Sequence, residues 1–144
     1  MSTAFAQVVG AMIDVLQAGT PVAQGVYRAR MRPVAQQFDA SVVVRPIDAQ
    51  ATPFAILNGP VDWTTQIAVE CYARAAPGTS PDVAVDALLA AVYARLASDP
   101  TLGALVMDIN PTALAYDFFE DAEQLACVTV TYSVLHRTQH LSLE

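Results

Sequence analysis

The stretch from Gln124 to His136 constrains this chain more than any other. Ala126, Val128, Val130, Tyr132 and Val134 alternate with Thr129, Thr131 and Ser133. A period of two places the first set on one face of a β-strand and the second on the other. Such a strand cannot stand alone. Neighbours must take its backbone hydrogen bonds, and a second layer must cover its apolar face.

Two helical stripes supply that layer. From residue 3 to 18, Phe5, Val8, Val9, Met12, Ile13 and Leu16 follow the i, i+3, i+4 spacing, with Gln7, Asp14 and Gln17 opposite. Ser2 or Thr3 can cap its start, and Gly19 with Pro21 ends it. A second helix is expected over residues 81–98, with Ser80 as cap, Pro81 in its first turn and Asp99-Pro100 as its stop. Its buried stripe is Val85, Leu88, Leu89, Val92 and Leu96, whereas Ala87, Ala90, Ala91, Ala94 and Ala97 make up a nearly uncharged outer face. That face reflects either the Ala-rich composition of the chain or a partner lying against it.

The remaining strands are shorter. Val26 to Arg32 alternates, Ser41 to Arg45 is β-branched, Thr64 to Ala73 alternates again, and Val106 to Ile109 is brief. Prolines at 46, 53 and 60 with Asn58-Gly59 predict a loop over 46–63, and a second loop is expected over 110–123. The expected fold is therefore α+β: a mixed, mainly antiparallel sheet of about five strands with two helices on one face. At 144 residues, 54 % of them hydrophobic, the chain makes one domain spanning 1–144.

All seven basic residues are Arg, set against fourteen acids, for a net charge of -7. This argues against sequence-specific nucleic-acid binding, which draws its affinity from cations on phosphate, and against docking on anionic lipid. No run of eighteen apolar residues suggests a membrane span. The first residues lack a basic segment, so no secretory signal is expected. Cys71 and Cys127 are too few for a disulfide framework, which fits a reducing compartment and two small core residues.

Signatures of chemistry are missing. There is no GxSxG, phosphate-binding GxxxxGK[ST], GxGxxG, HExxH or CxxC. His136 and His140 are four apart at the end of a strand, where their rings do not converge on a metal, so both read as solvated. No catalytic, cofactor or metal residue is assigned. Two features rise above this background. Arg28, Arg30 and Arg32 line one side of the predicted strand, and Asp117, Glu120, Asp121 and Glu123 cluster around Phe118 and Phe119. Each can be a solvated face, the acidic loop being held by its two Phe. Together they are candidate intersubunit patches, the acids of one copy facing the arginines of the next. A calcium loop would need a central Gly that the acidic segment lacks.

The order of elements carries a resemblance. A helix is followed by an Arg-bearing strand and then by "TTQIAVECYAR". The Pro-initiated "SPDVAVDALLAAVYARLASDPTLGALVMDI" comes next, then an aromatic-acidic segment and "LACVTVTYSVLHRT". Over nearly its full length this resembles the tail terminator (minor tail protein U) family of long-tailed bacteriophages and prophages, with Asp99, Leu102 and Gly103 matching the family's D-x-x-L-G turn. The resemblance implies a non-enzymatic structural subunit that closes into a ring, usually a hexamer, on the tail tube. It implies as partners further copies of itself, the tail tube protein and the head-tail connector protein, and a location in host cytoplasm during assembly and then in the virion tail. Alternatives are a neck or tail-completion adaptor, a small-ligand binding module, or a small enzyme using an acidic pair.

Overall fold

The computed structural model describes residues 2–29, 39–53, 57–118 and 125–144. Helix α1 spans Ala4–Gln17 and is followed by strands β1 (Gly25–Arg28), β2 (Ala40–Pro53) and β3 (Val61–Arg74). Helix α2 (Pro81–Ala97), β4 (Asp108–Phe118) and β5 (Leu125–Thr138) complete the chain. The five strands form one sheet in the order β1-β2-β3-β5-β4. β1 runs parallel to β2, and every other pair is antiparallel. This is the expected α+β architecture, both helices lying on one sheet face.

Period-two patterning selects that face. Ile67, Val69, Cys71 and Ala73 of β3 and Ala126, Val128, Val130, Tyr132 and Val134 of β5 meet Val8, Val9, Met12 and Leu16 of α1 and Val85, Leu88, Val92 and Leu96 of α2. Leu89 is only partly buried at the margin. The opposite face carries Thr129, Thr131 and Ser133, together with an ion pair from Arg45 Nε to Glu70 Oε1 at 2.8 Å. Tyr72 donates its hydroxyl to the other oxygen of Glu70 at 2.9 Å.

The helices are closed by side chains near and far. Thr3 Oγ1 accepts from the Ala6 amide at 3.3 Å, which makes it the cap of α1. Ser80 occupies the cap position of α2, but its hydroxyl donates to the Asp82 carboxylate and does not reach the helix amides. The C-terminus of α1 has no basic residue in its last turn. Arg95 of α2 supplies the cation instead. Its guanidinium donates to Val15 O at 3.1 Å, Ala18 O at 2.7 Å and Thr20 O at 2.7 Å.

Four expectations need correction. The predicted loop 46–63 is largely strand: β2 continues to Pro53 and β3 begins at Val61. β1 pairs only with Ser41 to Val44, so among the described residues β2 has no outer neighbour at Pro46 and the proline's missing N–H costs no ladder bond; a register shift between Pro46 and Asp48 absorbs Ile47. The predicted loop 110–123 is also mostly strand, since β4 starts at Asp108 and runs to Phe118. Pro111 is again at a sheet edge, beside a second register shift. Val106 belongs to the preceding turn, which Leu102 and Val106 bury and which Asp99 Oδ1 closes on the Gly103 amide at 3.1 Å. Finally, β1 stops at Arg28, because Ala29 turns into the left-handed region at φ 45°.

Candidate assembly surface

The described ends of the Arg-bearing strand and of the acidic segment lie on opposite edge strands of the sheet. Arg28 ends β1, and Asp117 lies one residue before the end of β4. Arg30, Arg32, Glu120, Asp121 and Glu123, with Phe119, fall outside the described residues. Within one subunit, then, Arg28 and Asp117 are not brought together.

Arg28 is held by α1. Its guanidinium donates to Ala6 O at 3.1 Å and passes over Gly10, where a Cβ would come within 2.8 Å of the Arg28 nitrogen. Glycine at that position lets the side chain lie across the helix. Asp117 points to the helix-free face, opposite Cys127, and adds its charge to the burial that pushes the Cys127 thiol up. Burial likewise pushes the Cys71 thiol up to about 12, its other cause being Cys127. Both cysteines are free and buried, as small core residues should be.

β4 presents a surface that the helices do not cover. α1 packs on β1 and β2, and α2 packs on β3 and β5. Leu114, Tyr116 and Phe118 pair with Val130, Val128 and Ala126 of β5 and so point to the helix side. They nevertheless remain exposed by 54, 52 and 50 %. The Tyr116 and Phe118 rings stack, centroids 6.2 Å apart and planes 10° apart. Phe118 does not anchor the acidic segment to the core, contrary to expectation. Tyr116 faces Asp82, Val83 and Asp86 of α2 across a shallow groove. Val83 is 60 % exposed, and the Ser80 hydroxyl holds the Asp82 carboxyl below the usual carboxylate range. This stripe was readable as alternation within Ala113 to Phe118, but Asn110-Pro111 masked it as loop.

His136 is the other departure from expectation. It is only 2 % exposed, and its Nε2 lies 2.7 Å from the Thr65 hydroxyl. Phe5 of α1 meets His136 edge-on at 5.0 Å and Trp63 at 5.1 Å, while Trp63 donates to Thr138 Oγ1 at 2.9 Å. Burial holds the imidazole below its ordinary pKa. The two histidines therefore differ: His136 is a core residue, whereas His140 is exposed. A hydroxyl beside an imidazole is the pairing a nucleophile needs, but this one lies beneath Phe5 and Trp63, with Thr65 also 2 % exposed. No group of three or more metal-ligating side chains occurs among the described residues, and no helix is long and apolar enough to cross a membrane. The clefts are open: one of about 300 Å³ lies between Tyr93, Leu96, Asp108, Asn110 and Tyr132.

No protein-family model matches the sequence, and no curated protein matches it. Its fold is similar to that of a solved chain from the virion of a native gene transfer agent particle. The two share 12 % identity at a TM-score of 0.62, over 91 % of this chain and 95 % of the other. At that identity the likeness is one of fold, an α+β subunit of nearly the same extent.

Proposed function

We propose that this chain is a structural protein of a virion, and specifically a tail terminator: a subunit that closes into a ring on the end of the tail tube and presents a surface to the head connector. The observation that carries the reading is the fold it shares, over almost the whole of both chains, with a component of a gene transfer agent virion. The order of elements that resembles the tail terminator family points the same way. So does the placement of charge: Arg28 ends one edge strand, with Arg30 and Arg32 next in the sequence, and Asp117 lies near the end of the other, with Glu120, Asp121 and Glu123 next in the sequence. Complementary patches on opposite edges make a head-to-tail contact, which propagates around a ring. The acidic balance around such a ring would repel passing DNA and not retain it.

The test is assembly on tail tubes. Purified protein added to polymerising tail tube protein is expected to cap the tubes and stop their growth, with rings visible end-on by electron microscopy. Arg30→Glu should weaken ring formation, and Asp121→Arg in the same chain should partly restore it. Tubes that lengthen unchecked with the protein present would refute the terminator reading.

A further inference from the structure

We infer that the open side of β4, with the first turns of α2, is the socket for the next copy of this chain, and that Leu114, Tyr116 and Phe118 are its anchors. This rests on the ring reading above and adds the surface through which the ring closes. Ile109 at the start of β4 joins the core, but from Leu114 onward the strand runs beyond the helical cover, so the apolar layer continues from Val130, Val128 and Ala126 of β5 onto β4 and there meets solvent. Three half-exposed large side chains leave contiguous apolar surface on the order of 300 Å², the size of a typical monomer's largest apolar patch, which is often functional. Residues Ala113 to Phe118 hold a regular register with β5 and carry no Pro. Asp117 is their one charge, and it points to the opposite face. Pro111 and its register shift blunt only the start of this edge; from Ala113 to Phe118 it is a template for a neighbour.

Charge selects the occupant. Asp82 and Asp86 of α2 border the stripe, and Asp117 lies at its end. Two copies joined β4 to β4 would bring these acids against their equivalents in a chain of net charge -7. The opposite edge of the sheet suits them better: β1 ends at Arg28, and three of the seven arginines fall between residues 28 and 32. The next copy is therefore seated by its β1 edge. The aromatic stripe gives the affinity and the charges give the orientation.

The experiment compares the full-length wild type with Tyr116→Ser/Phe118→Ser and with Asp82→Arg/Asp86→Arg, by sedimentation velocity over a concentration series at low and raised salt. Thermal unfolding is followed in parallel. Both pairs are exposed, so the fold should survive, with a nearly unchanged midpoint for the serine pair and a modestly lowered one for the arginine pair, which places cations at the N-terminus of α2. The serine pair is expected to raise the dissociation constant of the ring about thirtyfold or more, as loss of an aromatic anchor does. The arginine pair should weaken assembly too, most clearly at low salt. Should the serine pair lose its fold, the arginine pair decides the matter. Variants that assemble as the wild type does would overturn the socket while leaving the ring reading intact. A wild type that forms a twofold dimer would overturn the head-to-tail seating. A wild type that stays monomeric at every concentration and does not cap tubes would bring down the ring reading itself.

Discussion

Removing the Arg95 guanidinium should loosen α1 from the rest of the molecule. The side chain reaches from α2 to three carbonyls at and beyond the end of α1, Val15, Ala18 and Thr20, at 3.1, 2.7 and 2.7 Å. Hydrogen bonds to a charged group are each worth about 1.5–3 kcal/mol where they are buried. Here the contacts to Ala18 and Thr20 are exposed, and water can replace them once the side chain is gone. The part-buried bond to Val15 and the loss of a cation at a helix C-terminus therefore dominate, and the total comes to about 2–3 kcal/mol. For a chain of this length each kcal/mol moves the midpoint by roughly 3 °C, so Arg95→Met should unfold about 6–9 °C below the wild type. Arg95→Lys keeps the charge but not the planar fork and should recover less than half of the loss. The assay is thermal unfolding by circular dichroism, with amide exchange on α1. Arg95→Met unfolding within about 2 °C of the wild type would refute the reasoning, as would a lysine variant indistinguishable from it.

Three further expectations follow from buried and strained groups. Burial lowers the His136 pKa in the folded state below the 6.5 of the free side chain, so the unfolded chain takes up the proton first. Stability is thus fully present above about pH 6.5 and falls as acid is added through the window beneath it; unfolding midpoints between pH 8 and 5 should show that slope, and His136→Asn should flatten it. Cys71 and Cys127 should react with a thiol reagent only as fast as the protein unfolds, because burial raises both thiols; prompt labelling of either in the native state would contradict this. Ala104 is exposed at φ 69°, where a Cβ is strained, so Ala104→Gly should raise stability by about 0.5–1 kcal/mol in denaturant titrations.

The legible parts of the fold were those in which burial follows one period. Val8, Met12 and Leu16, Val85 to Leu96, and the alternation of β5 announce their faces directly, and the two-helix, five-strand architecture follows from them. The misread parts are edge strands. Among the described residues, β2 beyond Arg45 and β4 beyond Ile109 pair on one side only, so Pro46, Pro53 and Pro111 are tolerated there and the usual strand-breaking signals mislead. His136 was misread for a different reason. A strand ending among polar residues gives no hint that Phe5 of α1, more than a hundred residues earlier, will cover it together with Trp63 of the neighbouring strand β3. Of the proposed assembly surface, the charges were visible in sequence, and the aromatic stripe only as an alternation that Asn110-Pro111 disguised as loop. Only the sheet order shows that Arg28 and Asp117 take opposite edges and that α2 stops short of Tyr116 and Phe118.

The central claim is that this subunit assembles head to tail. The most direct measurement is the mass of the wild-type chain in solution by light scattering, across protein concentration, salt and added magnesium. The account predicts one discrete species at a fixed multiple of the 15.3 kDa subunit, six if the family resemblance holds, favoured as salt screens the shared negative charge. A monomer under every condition, tail tube included, or a closed twofold dimer would contradict it.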